Sequence, residues 1–105
     1  MRRPRRGAAI DPKMFRALAE PTRIQILSVL MRAGGEANVS AIAQEIPVDL
    51  SVVSRHLREL VGGGVLEAER QGRERWYRLR YEPMIRQFES LVEQLKSLRD
   101  GQGCC

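Results

Sequence analysis

The stretch Asp49-Leu50-Ser51-Val52-Val53-Ser54-Arg55-His56-Leu57-Arg58-Glu59-Leu60 most constrains what this chain can fold into, because a triple-glycine stop and an arginine-studded segment around Gly72-Arg73 follow it directly. Val53, Leu57 and Leu60 stand at i, i+4 and i+7, so a helix here anchors one face on a core. Ser51, Ser54, Arg55 and Arg58 stand at i, i+3, i+4 and i+7 on another face, where a helix turns its polar side outward. Helix, glycine stop and short hairpin together form the pattern of a helix-turn-helix reader with a β-wing. Hydroxyls and an arginine near a helix N-terminus suit a DNA major groove. Hydroxyls and backbone N–H groups take phosphate oxygens, an arginine takes guanine O6 and N7, and the helix dipole favours anions at that end. An ordinary solvated face has the same residue types, so the flanking segments carry the decision.

The chain has 105 residues, of which 43% are hydrophobic, enough for one small domain with a modest core. No apolar run approaches the roughly 20 residues that span a bilayer. The opening Met1-Arg2-Arg3-Pro4-Arg5-Arg6 leads into no apolar signal region. A cytoplasmic protein with no membrane partner is expected. The formal charge of +5 favours a polyanion, but Arg2, Arg3, Arg5 and Arg6 supply four of those charges and the rest of the chain carries only +1. Local clustering of arginines, rather than net basicity, therefore has to support nucleic-acid binding.

Residues 1–10 hold proline, glycine and like charges without periodicity and are expected to form a disordered basic arm, either lying on DNA or serving as a solubilising tail. Asp11-Pro12 can start a helix whose buried side carries Met14, Phe15 and Leu18. Glu20-Pro21-Thr22 restarts the chain into an apolar helix with Ile24, Leu27, Val29, Leu30 and Met31, which Gly34-Gly35 ends. A short helix from about Val39 to Ile46 follows, capped by Asn38 or Ser40, and Pro47-Val48 links it tightly to the reading helix. Val65–Gln71 and Glu74–Leu79 read as a hairpin in which Val65, Trp76 and Leu79 supply apolar contacts. Arg70, Arg73, Arg75, Arg78 and Arg80 crowd it. Phosphate contact is the preferred reading over a solvated face, with Arg73 and Arg75 nearest the tip. From Pro83 to about Arg99 a last helix carries Ile85, Phe88, Leu91, Val92, Leu95 and Leu98, a stripe wide enough to be a dimer seam rather than internal core. Residues 11–100 are thus expected to be the DNA-binding and dimerisation domain, with 101–105 as a Gly/Cys tail.

Phe15-Arg16-Ala17-Leu18-Ala19-Glu20-Pro21-Thr22-Arg23-Ile24-Gln25-Ile26-Leu27 resembles the opening signature of the ArsR/SmtB winged-helix repressors. Ser54-Arg55-His56-Leu57-Arg58-Glu59-Leu60 with Gly64-Val65-Leu66 is similar to that family's recognition helix and exit turn, and Gly72-Arg73 with Trp76-Tyr77-Arg78-Leu79 is similar to its wing. The resemblance covers residues 11–99 and implies a mainly α fold with a small β-hairpin: a winged helix-turn-helix of four helices, two strands and a fifth helix. It implies a homodimer built on the first and last helices, repression relieved by a metal, metalloid or thiol signal, and DNA contacts at Ser51, Val52, Ser54, Arg55 and His56. Many members carry a polar residue where this chain has Leu50, and a leucine can touch a thymine methyl instead. His56, the only histidine, has two readings of equal weight, beside the DNA backbone or half-buried against nearby main chain.

The effector follows from departures. Arsenic and cadmium sensors of this type carry a cysteine pair in the third helix, where this chain has none. Zinc and cobalt sensors carry histidines in the last helix, where residues 83–99 have none. The soft ligands are Cys104 and Cys105. Adjacent Cα atoms lie about 3.8 Å apart, below the roughly 4.4 Å that a relaxed disulfide needs, so two free thiols are expected in a reducing compartment. Two neighbouring thiolates suit trivalent arsenic, as arsenite or an organoarsenical, or antimony. A thiol-redox or persulfide sensor, another soft ion and a tail without function remain the alternatives. No obligatory cofactor is expected. Double-stranded DNA, as an imperfect palindromic operator read in successive major grooves, is the expected partner. A winged-helix module for protein contact is the rival, and the absence of a catalytic residue set or phosphate loop speaks against an enzyme.

Overall fold

The computed structural model describes residues 10–104. The expected arm, apart from Ile10, and Cys105 lie outside the described residues. The chain divides into two compact units, Pro12–Arg80 and a second one holding the described residues 10–11 and 81–104.

The first unit runs α1 (Pro12–Leu18), α2 (Pro21–Arg32), β1 (Glu36–Asn38), α3 (Val39–Glu45), α4 (Leu50–Gly62), β2 (Leu66–Gln71) and β3 (Glu74–Leu79). Capping sets the boundaries. Glu20 Oε1 accepts from the Arg23 N–H at 3.0 Å, with Pro21 opening α2. Asn38, rather than Ser40, caps α3 through Oδ1 and the Ala41 N–H at 2.8 Å. Both α2 and α4 end in paired bonds back to the last turn, Gly35 N–H to Leu30 O and Val65 N–H to Leu60 O. In the second of these Gly64 sits at φ +82°, a left-handed conformation glycine adopts without cost. Gly63 is needed for a different reason: a Cβ there would lie 2.5 Å from the Ala17 Cβ, so the close approach of α1 to α4 depends on its absence.

The core of this unit is built from Met14, Ala17 and Leu18 of α1, Ile26, Val29 and Leu30 of α2, Ile42 and Ile46, and Val53, Leu57 and Leu60 of α4, closed by Val65, Leu66, Tyr77 and Leu79. Four positions differ from expectation. Phe15 yields its place to Ala17, because α1 turns its 14/17/18 side inward. Ile26 is buried while Ile24 and Met31 are exposed, since an α2 apolar on several sides buries only one of them. Tyr77 rather than Trp76 is the inward aromatic, because strand side chains alternate and Leu79 already points inward.

The expected hairpin forms as β2 and β3, and β1 adds a third strand to it, giving an antiparallel sheet in the order β1-β3-β2. The register places Glu36, Ala37 and Asn38 opposite Arg78, Tyr77 and Trp76. Glu-Ala-Asn has little intrinsic strand preference. The pairing comes from tertiary structure, with Ala37 buried and the Leu79 N–H reaching Gly35 O at 2.8 Å.

The second unit is dominated by α5 (Tyr81–Cys104). It begins two residues before Pro83, which occupies the first turn where its missing N–H costs nothing. It continues past the expected end near Arg99 through Gly101-Gln102-Gly103 to Cys104, since isolated glycines weaken a helix by about 1 kcal/mol each without stopping it. The Asp11 N–H donates to Gln87 Oε1 at 2.8 Å. Ile85, Phe88, Val92, Leu95 and Leu98 remain exposed along α5 at helical spacing. Among the described residues no helix is long and apolar enough to cross a membrane.

Candidate nucleic-acid interface

Helix α4 divides cleanly. Val53, Leu57 and Leu60 are fully buried, which fixes its rotation; Ser51, Arg55 and Arg58 are exposed, and Val52 and Ser54 are half-buried at the margin. The short α3 and the Ile46–Asp49 connection precede it, so α3 and α4 form the helix-turn-helix pair. Neither Arg55 nor Arg58 has a carboxylate within ion-pair distance among the described residues.

His56 points away from the open face. Its side chain is 12% exposed and lies 3.8 Å from Glu20 Oε1. Nδ1 accepts from Arg23 Nε at 3.2 Å, and Arg23 Nη1 donates to the Ala17 carbonyl at 3.3 Å. An imidazole that accepts at Nδ1 carries its proton on Nε2. The partner is thus a side chain of α2 rather than the main chain, and the result is a clip from the reading helix to the α1–α2 junction. Replacing His56 by alanine is expected to lower the unfolding free energy by about 1.5–3 kcal/mol, the worth of a hydrogen bond to a charged group. His56→Gln, whose carbonyl can still accept from Arg23, should retain most of it; urea denaturation of both variants checks this.

The wing places its arginines in two different settings. Gly72-Arg73 is the two-residue connection, with Gly72 at φ +65° and Arg73 at negative φ, as a glycine-first hairpin turn requires. Arg78 lies on the outer face of the sheet, donating to Glu36 Oε1 at 3.2 Å, to Glu69 Oε1 at 2.7 Å and to Glu67. The bonds to Glu69 and then Glu36 raise the Arg78 guanidinium above its ordinary pKa. Arg80 lies 3.9 Å from Glu67 Oε1. These two arginines serve the sheet's own carboxylates. Arg70 and Arg75, by contrast, are direct cross-strand partners on the face that carries Leu66, Tyr77 and Leu79 nearer the base. With Arg73 at the turn they are exposed, and none has a carboxylate partner among the described residues. Like charges directly opposite each other destabilise a ladder. A pair of that kind at the tip of a protruding hairpin suits an external polyanion.

Cys104 is the last residue of α5, and its intended partner Cys105 lies outside the described residues. No group of three or more His, Cys, Asp and Glu that could hold a metal ion occurs among the described residues.

An amphipathic second helix packed on a short first one and flanked by a cationic β-ribbon defines a winged helix-turn-helix module. A helix-turn-helix domain family matches residues 18–69. The chain is 38% identical over 86 residues to the HTH-type transcriptional regulator Rv0324 of Mycobacterium tuberculosis, covering 80% of this chain and 37% of that protein. A crystal structure of an ArsR family transcriptional regulator superposes with a TM-score of 0.70 at 32% identity, covering 83% of this chain and 88% of the other. A solution structure of a homodimeric winged helix-turn-helix DNA-binding domain from Mycobacterium bovis, described as a possible ArsR-family regulator, gives a TM-score of 0.63 at 38% identity, covering 81% and 76%. The chain belongs to the ArsR/SmtB family of winged helix-turn-helix transcriptional regulators, a family of regulators and not of enzymes. It spans between 37% and 48% of the length of several curated regulators that it matches.

Proposed function

We propose that the chain is a cytoplasmic, homodimeric repressor that holds duplex operator DNA and lets go when a thiophilic trivalent arsenical or antimonite is captured by Cys104 and Cys105. One observation carries the DNA part: five arginines without carboxylate partners among the described residues, Arg55, Arg58, Arg70, Arg73 and Arg75, stand on the exposed side of α4 and on the wing of one module. In the bound state Ser51, Ser54, Arg55 and Arg58 enter the major groove with Val52 at its edge, and Arg70, Arg73 and Arg75 take phosphates. His56 contributes by holding α4 in place. The exposed α5 stripe is the seam, and a two-fold dimer sets its readers about 34–36 Å apart on an imperfect palindrome.

The effector part rests on chemistry. Two adjacent thiolates supply two soft ligands to a trivalent centre, and an organoarsenical with one valence on carbon needs no third. Cys104→Ser with Cys105→Ser should leave affinity for the promoter fragment unchanged and abolish its release by arsenite or phenylarsine oxide in a gel-shift titration. Release that survives in the double serine variant places the sensor elsewhere. Release by peroxide or persulfide instead of arsenicals identifies the thiol-redox alternative. Coupling of about 1–3 kcal/mol between the two sites corresponds to a 5- to 150-fold loss of operator affinity.

A further inference from the structure

The leading edge of α4 presents apolar surface that the fold leaves uncovered. Val48 is 41% and Leu50 56% exposed, while Ile46 and Val53 on either side of them are in the core. Asp49 occupies the N-cap position between them with extended backbone, φ −61° and ψ 150°, yet its side chain makes no capping hydrogen bond. Its carboxylate remains at the surface and opposes any phosphate at this corner. Leu50 stands four residues before Ser54 and eight before Arg58, on the outward side of the helix. The tip of the reading helix is therefore apolar and anionic, whereas the arginines lie further along α4 and on the wing.

We propose that Leu50, adjoined by Val48, reads the C5-methyl group of thymine in the major groove. The inference rests on the DNA-binding function proposed above and names a source of its sequence preference. A base pair offers few apolar partners in that groove. The thymine methyl is the one that distinguishes T from C by a hydrophobic contact, and an aliphatic side chain without donors or acceptors can discriminate in no other way. Covering the methyl also removes part of Leu50 from water.

The test uses the full chain and duplexes that it selects itself from a random pool. Each thymine of the selected site is replaced in turn by deoxyuridine, which deletes the methyl and keeps every hydrogen-bonding group. At one position in each half-site uracil should weaken binding about fourfold, the worth of one buried methyl, and about fifteenfold when both half-sites are changed. Leu50→Ala, at a position more than half exposed, should bind thymine and uracil versions alike. Tolerance of uracil at every position, or an undiminished uracil penalty in Leu50→Ala, overturns the assignment of Leu50 while leaving DNA binding intact. Failure to enrich any duplex removes the DNA-binding function, and the methyl reading with it.

Discussion

Val92→Glu combined with Leu95→Glu is expected to convert the proposed dimer to a monomer and to weaken operator binding by at least about a thousandfold. Val92 and Leu95 are 46% and 57% exposed on α5, in line with Ile85, Phe88 and Leu98. Fully covering a large aliphatic side chain contributes about 1.5–3 kcal/mol, so several of them per protomer can hold a seam together. A two-fold interface is self-complementary. A glutamate placed in it is desolvated and faces its own symmetry mate, which reverses the balance. Affinity falls because the monomer carries one reading head. If two heads together give nanomolar binding, about −12 kcal/mol, one head supplies about half of that. Light scattering with size exclusion reads the mass, and fluorescence anisotropy on the promoter fragment reads the affinity. A variant that stays dimeric, or a monomer that binds as tightly as the parent, contradicts the seam.

The second large effect lies on the wing. Arg70→Gln with Arg75→Gln removes two cations per protomer that have no carboxylate partner among the described residues. Four lost phosphate contacts per dimer should flatten the slope of log K against log salt by about 3.6, and affinity at 50 mM salt should drop by two to three orders of magnitude, on the order of 10²–10³. Stability should move the other way. The two arginines are direct cross-strand partners, and relieving a like-charge pair is worth about 0.2–1 kcal/mol. Arg78→Gln provides the contrast: it breaks the bonds to Glu36, Glu67 and Glu69, lowering stability while leaving the salt slope nearly as it was. Equal losses of affinity and salt dependence from Arg78→Gln and from the Arg70/Arg75 double variant would show that the wing's two faces are not distinct.

Much of this arrangement is legible in the residues. The 53/57/60 spacing predicts which side of α4 is buried, and the Glu20-Pro21 and Asn38 signals mark where α2 and α3 begin, because these features are local. A two-residue turn at Gly72-Arg73 also dictates the register: once Gln71 pairs with Glu74, Arg70 must face Arg75 and Glu67 must face Arg78. The capture of Arg78 by acids was therefore available from the turn alone. Its third partner, Glu36, was not, because β1 is three residues of weak strand preference that pair only after the helices have brought them beside β3. Tyr77 and Trp76 exchange roles for a related reason, since both are aromatic and only the alternation fixed by Leu79 tells them apart. The side-chain partner of His56 lies 33 positions away at Arg23 and leaves no periodic trace in the sequence.

On this reading α4 and the wing grip duplex DNA in paired copies. Sedimentation equilibrium of the chain with its promoter fragment at several salt concentrations tests it most directly. Two chains per operator are expected, with an affinity that falls linearly in log–log form, by about 0.9 in slope for each phosphate contact. A monomer that shows no association with the promoter fragment at 50 mM salt, on the order of the low end where phosphate contacts are strongest, contradicts it.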